Sequence, residues 1–87
     1  MRIVVYKIEG CTYCPQAVRS ARAFGKKQGL EVEERSAVRY FGQLERILKG
    51  HQVAIPVTCL ASNDGKIDET KCVVGAENLE ERLENIL

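Results

Sequence analysis

Two cysteines stand three positions apart in "IEGCTYCPQAVRSA", residues 8–21. Thiols at that spacing support two chemistries. One thiolate can attack a disulfide while the second thiol releases the product from the mixed disulfide. Alternatively both thiolates can grip a soft metal such as Cu(I) or Zn(II). Cys11 falls where an apolar run gives way to a helical pattern, so unpaired N–H groups and the positive end of a helix face it. That setting favours a thiolate over a thiol, and makes Cys11 the candidate nucleophile. Cys14, about one turn further in and more shielded, is the candidate resolving thiol. Pro15 fits the first helical turn, where its missing N–H would have no partner anyway.

The elements that must position this pair follow from hydrophobic periodicity. Residues 2–8, "RIVVYKI", are apolar without alternation through Ile3, Val4, Val5 and Tyr6, as in a strand covered on both faces. From Pro15 to Lys27 the period becomes helical, with Ala17, Val18, Ala21 and Phe24 on one face and Arg19, Arg22, Lys26 and Lys27 on the solvated one. Gly29 marks the stop. "LEVEER", 30–35, predicts a short strand. "VRYFGQLERILK", 38–49, predicts a helix that buries Val38, Phe41, Leu44, Ile47 and Leu48. Residues 57–61 predict a strand, "NDGK" a tight primed turn, and 66–74 a polar return strand at a sheet edge. "NLEERLENIL" predicts a last helix, with Asn78 and Glu81 in the form of a capping box. The order is β-α-β-α-β-β-α. The first crossover is right-handed between parallel strands, the hairpin is antiparallel, and helices cover both faces.

Composition narrows the function classes. The 87 residues suit one domain, 1–87, with 45 % hydrophobic residues for a small core. A net charge of +1 gives no pull toward nucleic acid or an anionic membrane. No run reaches the roughly 20 apolar residues of a membrane span, and "MRIVVYKIEG" is too soon charged for a secretory signal. A cytoplasmic monomer is expected. In a reducing compartment four cysteines are not expected to build a structural disulfide framework. Cys59 and Cys72, on the two arms of the hairpin, therefore read as small buried hydrophobes, although the register could bring them together. Cys72, on the edge strand, is the more exposed of the two and the candidate for regulation. His51 reads as a solvated loop residue, and Tyr40 and Phe41 as core or near-core.

A second segment bears on the cysteines. Pro56 in "AIPVTCL" stands directly before an apolar strand, which suggests a turn packed near them. A cis Ile55–Pro56 bond would leave the backbone groups of Ile55 free to pair with an extended peptide, but only about 5–6 % of X–Pro bonds in folded proteins are cis.

"CTYCPQA" after the first strand, "IPV" opening the third and "VVGAENL" opening the last helix resemble, in order and spacing, the three active-site segments of glutaredoxins and small glutaredoxin-like redoxins, over nearly the whole chain. The resemblance implies a thioredoxin fold, α/β, with a four-stranded mixed sheet in the order 2-1-3-4 flanked by three helices. It implies a cis Pro56 and dithiol–disulfide exchange through Cys11 and Cys14 on protein or small-molecule disulfides. It places Thr12, Tyr13, Ile55, Pro56, Gly75, Ala76 and Glu77 along the substrate groove.

Three departures qualify the substrate. Thr12 stands where the family usually has Pro. Ile8 stands where it usually has a cation for a glutathione carboxylate, with Lys7 one residue earlier and so on the opposite face of the strand. Val74-Gly75-Ala76-Glu77-Asn78 keeps the glycine but only half the carboxylates of the segment that holds the other end of glutathione. Glu9, two residues before Cys11, opposes its thiolate and should make the pair more reducing. These residues favour disulfide-containing proteins as substrates and a thioredoxin-reductase-type flavoenzyme as reductant over glutathione. No bound cofactor or metal is expected. The rival is a Cys-x-x-Cys carrier of copper or zinc, which also has its motif between a first strand and a first helix. Against it stand the absence of a methionine before the motif, a chain ending in a helix, and the lack of any use for Pro56. A zinc site using all four cysteines would require them to converge.

Overall fold

The computed structural model of the chain describes residues 1–87. The apolar run forms β1 (Arg2–Lys7), and α1 (Cys14–Gln28) leads to β2 (Glu31–Ser36), α2 (Phe41–Leu48), β3 (Val57–Ala61), β4 (Ile67–Val74) and α3 (Leu79–Ile86). The sheet order is β2-β1-β3-β4, the order that the family resemblance implies. β1 and β2 run parallel from Arg2↔Glu31 to Lys7↔Ser36, whereas β1–β3 and β3–β4 are antiparallel. The two central strands alternate between two cores. Ile3, Val5 and Leu60 pack with Ala17, Ala21, Phe24, Leu79 and Leu83 of α1 and α3. Val4, Tyr6, Val57 and Cys59 pack with Leu44 and Ile47 of α2. Continuous hydrophobicity in β1 and β3 therefore reflects burial on both faces.

Three local expectations are corrected. α2 begins at Phe41, three residues later than the periodicity suggested, and its predicted core residues Val38 and Phe41 are 68 % and 49 % exposed. The Ala37 N–H donates to the Lys7 carbonyl, which keeps the chain extended beyond β2. The Ser36 hydroxyl then accepts from the Arg39 N–H at 3.3 Å, and the Tyr40 N–H donates to the Ser36 carbonyl at 3.1 Å, closing a turn. A serine that captures backbone locally competes with the helix for these residues. Tyr40 lies edge-to-face on Tyr6 at the helix entrance, beneath the Arg35 guanidinium.

The hairpin is the second. The Gly65 N–H donates to the Ser62 carbonyl and the Ser62 N–H to the Lys66 carbonyl, both at 2.9 Å, with Gly65 at φ 88°. This is a three-residue loop ending in a positive-φ glycine rather than a two-residue primed turn. Asp64 accepts from both the Ser62 hydroxyl and the Lys66 N–H, which favours the longer loop. Third, Asn78 precedes α3 at φ 51° and makes no side-chain cap. A capping box requires an extended N-cap residue, so the Asn78/Glu81 signal is not realised. Glu80 and Glu81 instead complement the helix dipole from the first turn.

Candidate functional site

Between β1 and α1 the chain turns at Gly10, and the Cys11 N–H donates to the Ile8 carbonyl at 3.2 Å. This turn sets Cys11 just ahead of α1, whose first residue is Cys14 and whose first turn carries Pro15 and no acidic side chain. Cys11 and Cys14 are joined as a disulfide, with Cα atoms 5.4 Å apart. The Cys14 N–H points at the Cys11 sulfur from 3.1 Å. Cys11 is partly exposed while Cys14 is buried. An incoming thiolate thus has access to the Cys11 sulfur and expels Cys14 as the leaving thiolate. The helix-start N–H is aimed at the charge Cys11 carries once a second thiol has freed it.

Two depressions flank the pair. One, of about 530 Å³, is lined by both cysteines with Ile8, Glu9, Ser36 and Val38 among others. The other, of about 320 Å³, brings together Tyr13, Gly75, Ala76 and Glu77 with Val74 and Arg82. Tyr13 and the segment 75–77, distant in sequence, thus meet in one groove. Pro56 joins them through the backbone, since its carbonyl accepts from the Gly75 N–H at 2.8 Å, and Gly75 reaches this position at φ 91°. The Ile55–Pro56 bond is cis. Ile55 lies outside every strand, and its own N–H and C=O make no hydrogen bond within the chain. The side chain of Ile55 packs half-buried on the α2 core. Thr12 is exposed beside the disulfide and forms no hydrogen bond. Ala76 lines the groove while largely buried in the α1/α3 core.

Cations near the pair are otherwise engaged. The Lys7 ammonium lies 2.5 Å from Glu34, which also takes the Arg22 guanidinium at 2.5 Å. Hydrogen bonds from Lys7 and then Arg22 hold the Glu34 carboxyl below the ordinary carboxylate range. The groove's cation is Arg82, which donates to the Glu77 carbonyl at 3.3 Å. Sequence reading singled out neither Arg82 nor Val38. Arg82 belonged to a helix whose polar face carried no distinguishing signal. Val38 was absorbed into the helical stripe, and only the Ser36 turn frees it.

Cys59 and Cys72 correct the expectation of separate buried thiols. They oppose each other directly in the β3–β4 register and are joined, Cα to Cα 4.0 Å. The four cysteines thus form two separate pairs, and no group of three or more His, Cys, Asp or Glu side chains is placed to hold a metal ion.

No family model matches this chain, and no curated protein is similar to it. Among solved structures it resembles the glutaredoxin-like protein NrdH-redoxin from Escherichia coli, described as having a thioredoxin-like activity profile. The TM-score is 0.60 and the identity 20 %, over 95 % of each chain. The chain therefore has the glutaredoxin-like thioredoxin fold, with a Cys-x-x-Cys pair at the start of its first helix.

Proposed function

We propose that this chain is a one-domain, cytoplasmic dithiol–disulfide oxidoreductase of the glutaredoxin-like type. The observation that carries the reading is the asymmetry of the Cys11–Cys14 pair: one sulfur reachable and faced by a helix-start N–H, the other buried behind it. In the reducing direction the Cys11 thiolate attacks a substrate disulfide and forms a mixed disulfide, expelling one substrate thiolate. Cys14, losing its proton, then attacks Cys11, and the second substrate thiolate leaves. The substrate ends as a dithiol and the chain as the Cys11–Cys14 disulfide. Thr12 and Tyr13 line the approach. Ile55, with its unpaired backbone groups, serves an extended substrate segment, and Pro56, Gly75, Ala76 and Glu77 shape the far wall.

Protein disulfides suit the surroundings better than glutathione. Ile8, Tyr13 and Val38 are exposed apolar side chains around the pair, and an apolar rim favours a protein surface. Ile8 supplies no charge for a glutathione carboxylate, and the Lys7 ammonium is neutralised by Glu34. The likeness to a redoxin with a thioredoxin-like activity profile points the same way, toward recharging by a thioredoxin-reductase-type flavoenzyme. A two-cysteine metal carrier is disfavoured by the fold, and a four-cysteine zinc site by the separation of the two pairs.

The test reduces the insulin disulfides with this chain, recharged either by thioredoxin reductase and NADPH or by glutathione and its reductase. The flavoenzyme should sustain turnover and glutathione should do so poorly. Turnover driven by glutathione alone would reverse the substrate assignment. Inactivity with every reductant, together with equimolar zinc or copper that resists dialysis, would return the chain to the carrier class.

A further inference from the structure

The proposed exchange leaves one chemically active pair unused. We propose that Cys59 and Cys72 are a second dithiol–disulfide couple, distinct from Cys11–Cys14, which clasps β3 to β4 and holds the strand ends that frame the groove. It exchanges with small thiols and disulfides through the Cys72 sulfur.

The placement argues for a built pair. Cys59 is fully buried, standing between Val4 of β1 and Cys72 of β4 in the register. Their Cα atoms are 4.0 Å apart, a closer approach than the roughly 4.5 Å of the tighter kind of antiparallel neighbour pair. The ladder is irregular on the hairpin side: Ala61 opposes Ile67 while Cys59 opposes Cys72, so β4 carries extra residues there. Within that stretch Asp68 turns back to accept from the Thr70 N–H at 3.0 Å and the Thr70 hydroxyl at 2.6 Å. The hairpin therefore cannot set the register beyond the bulge, because an irregular strand slips more easily than a paired one. The cysteine pair sits immediately beyond it. Regular pairing resumes through Thr58↔Val73 and Val57↔Val74 to the Gly75–Pro56 hydrogen bond. The clasp thus pins the segment that ends in the groove.

Access defines the chemistry. Cys72 is partly exposed on the edge strand, whereas Cys59 is sealed among Val4, Tyr6, Val57 and Leu44. A small thiolate must attack the Cys72 sulfur, forming a mixed disulfide there and expelling the Cys59 thiolate, which takes a proton from water. A second thiol then attacks the added sulfur, leaving as the small-molecule disulfide and freeing Cys72. In the forming direction an oxidised small disulfide such as oxidised glutathione accepts the electron pair and departs as two thiols. Expelling a thiolate into an apolar core is unfavourable, so this exchange is slow.

The inference does not depend on the redoxin activity, because it is tested in the full chain carrying Cys11→Ser and Cys14→Ser. After exposure to oxidised glutathione and acid quenching, alkylation and peptide mapping should find Cys59 and Cys72 joined. Dithiothreitol should then lower the melting temperature by about 10–20 °C, as expected for opening a loop of this length in a small domain. Adding Cys72→Ser should abolish that response. In the wild-type chain dithiothreitol should open Cys11–Cys14 about tenfold or more sooner than Cys59–Cys72. Free Cys59 and Cys72 after oxidation, a melting temperature indifferent to their reduction, or an equal drop with Cys72→Ser would each overturn the clasp. Equal opening rates would overturn the restriction to Cys72.

Discussion

The two disulfides share one bond type and almost nothing else. Cys11–Cys14 closes a short loop ahead of a helix, with an N–H aimed at its outer sulfur and exposed apolar side chains around it. Cys59–Cys72 ties two strands across 13 residues, with one sulfur in the core. The first has an open sulfur and an N–H aimed at the thiolate that sulfur becomes when the pair is reduced, so its geometry favours exchange. The second has one sealed sulfur and a covalent hold on strand register, so its geometry favours slow exchange. Surroundings, rather than cysteine count, divide the labour.

Cys11→Ser separates the two pairs most sharply. Insulin reduction should fall roughly 10³-fold or more, toward the uncatalysed rate, while the melting temperature barely moves. Cys14→Ser should instead accumulate a mixed disulfide on Cys11, visible as an added mass removed by dithiothreitol. Equal residual turnover in Cys11→Ser would break the assignment of roles.

Leu60→Ala probes the strand that carries the clasp. Leu60 is buried against Ile3 in the α1/α3 core, and its truncation should cost about 2–5 kcal/mol in urea unfolding. The alkylation rate of reduced Cys11 should stay close to wild type. A large change there would show that the exchange site and the sheet interior are coupled.

Val38→Glu tests the apolar rim. With Val38 two-thirds exposed beside the pair, the added charge should raise KM for a protein disulfide several-fold and leave reduction of a small disulfide unchanged. Equal effects on both substrates would count against a protein-facing rim.

The smallest effect concerns acid. Lys7 and Arg22 lower the Glu34 carboxyl, and Arg35 followed by Arg2 lowers Glu33 against a partial opposing cost of burial. Unfolded, both carboxyls protonate near about 4.3. The unfolded chain therefore binds protons first, so this stabilisation is complete above that value and fades as pH falls through the lower folded ones. Urea midpoints should decline below about pH 4.5, and Glu34→Gln should flatten part of the decline. An unchanged slope would show the exposed pairs to be screened.

Much of the frame was legible in the sequence because it rests on periodicity. The unbroken apolar runs of β1 and β3 required cover on both faces, and the stripe of Ala17, Ala21 and Phe24 supplied one of the covers. The misreadings share a cause. Val38 continued the period of α2, Asn78 had the form of a cap, and Asp-Gly had the form of a primed turn. In each, competing local hydrogen bonds or backbone angles decided, and residue type alone does not carry those. The site divided the same way. Cys11, Tyr13 and Gly75 stood out by type and spacing, whereas Arg82 and Val38 became visible only when the groove and cleft closed around them.

By itself the sequence determined the exchange-capable pair, since two thiols three residues apart at a helix start meet whatever the rest of the chain does. It determined the strand and helix order for the same reason: each element follows from neighbours a few residues away. Tertiary structure alone decided the partnership of Cys59 with Cys72. They are 13 residues apart across an irregular hairpin, and their meeting depends on a register set by the whole sheet.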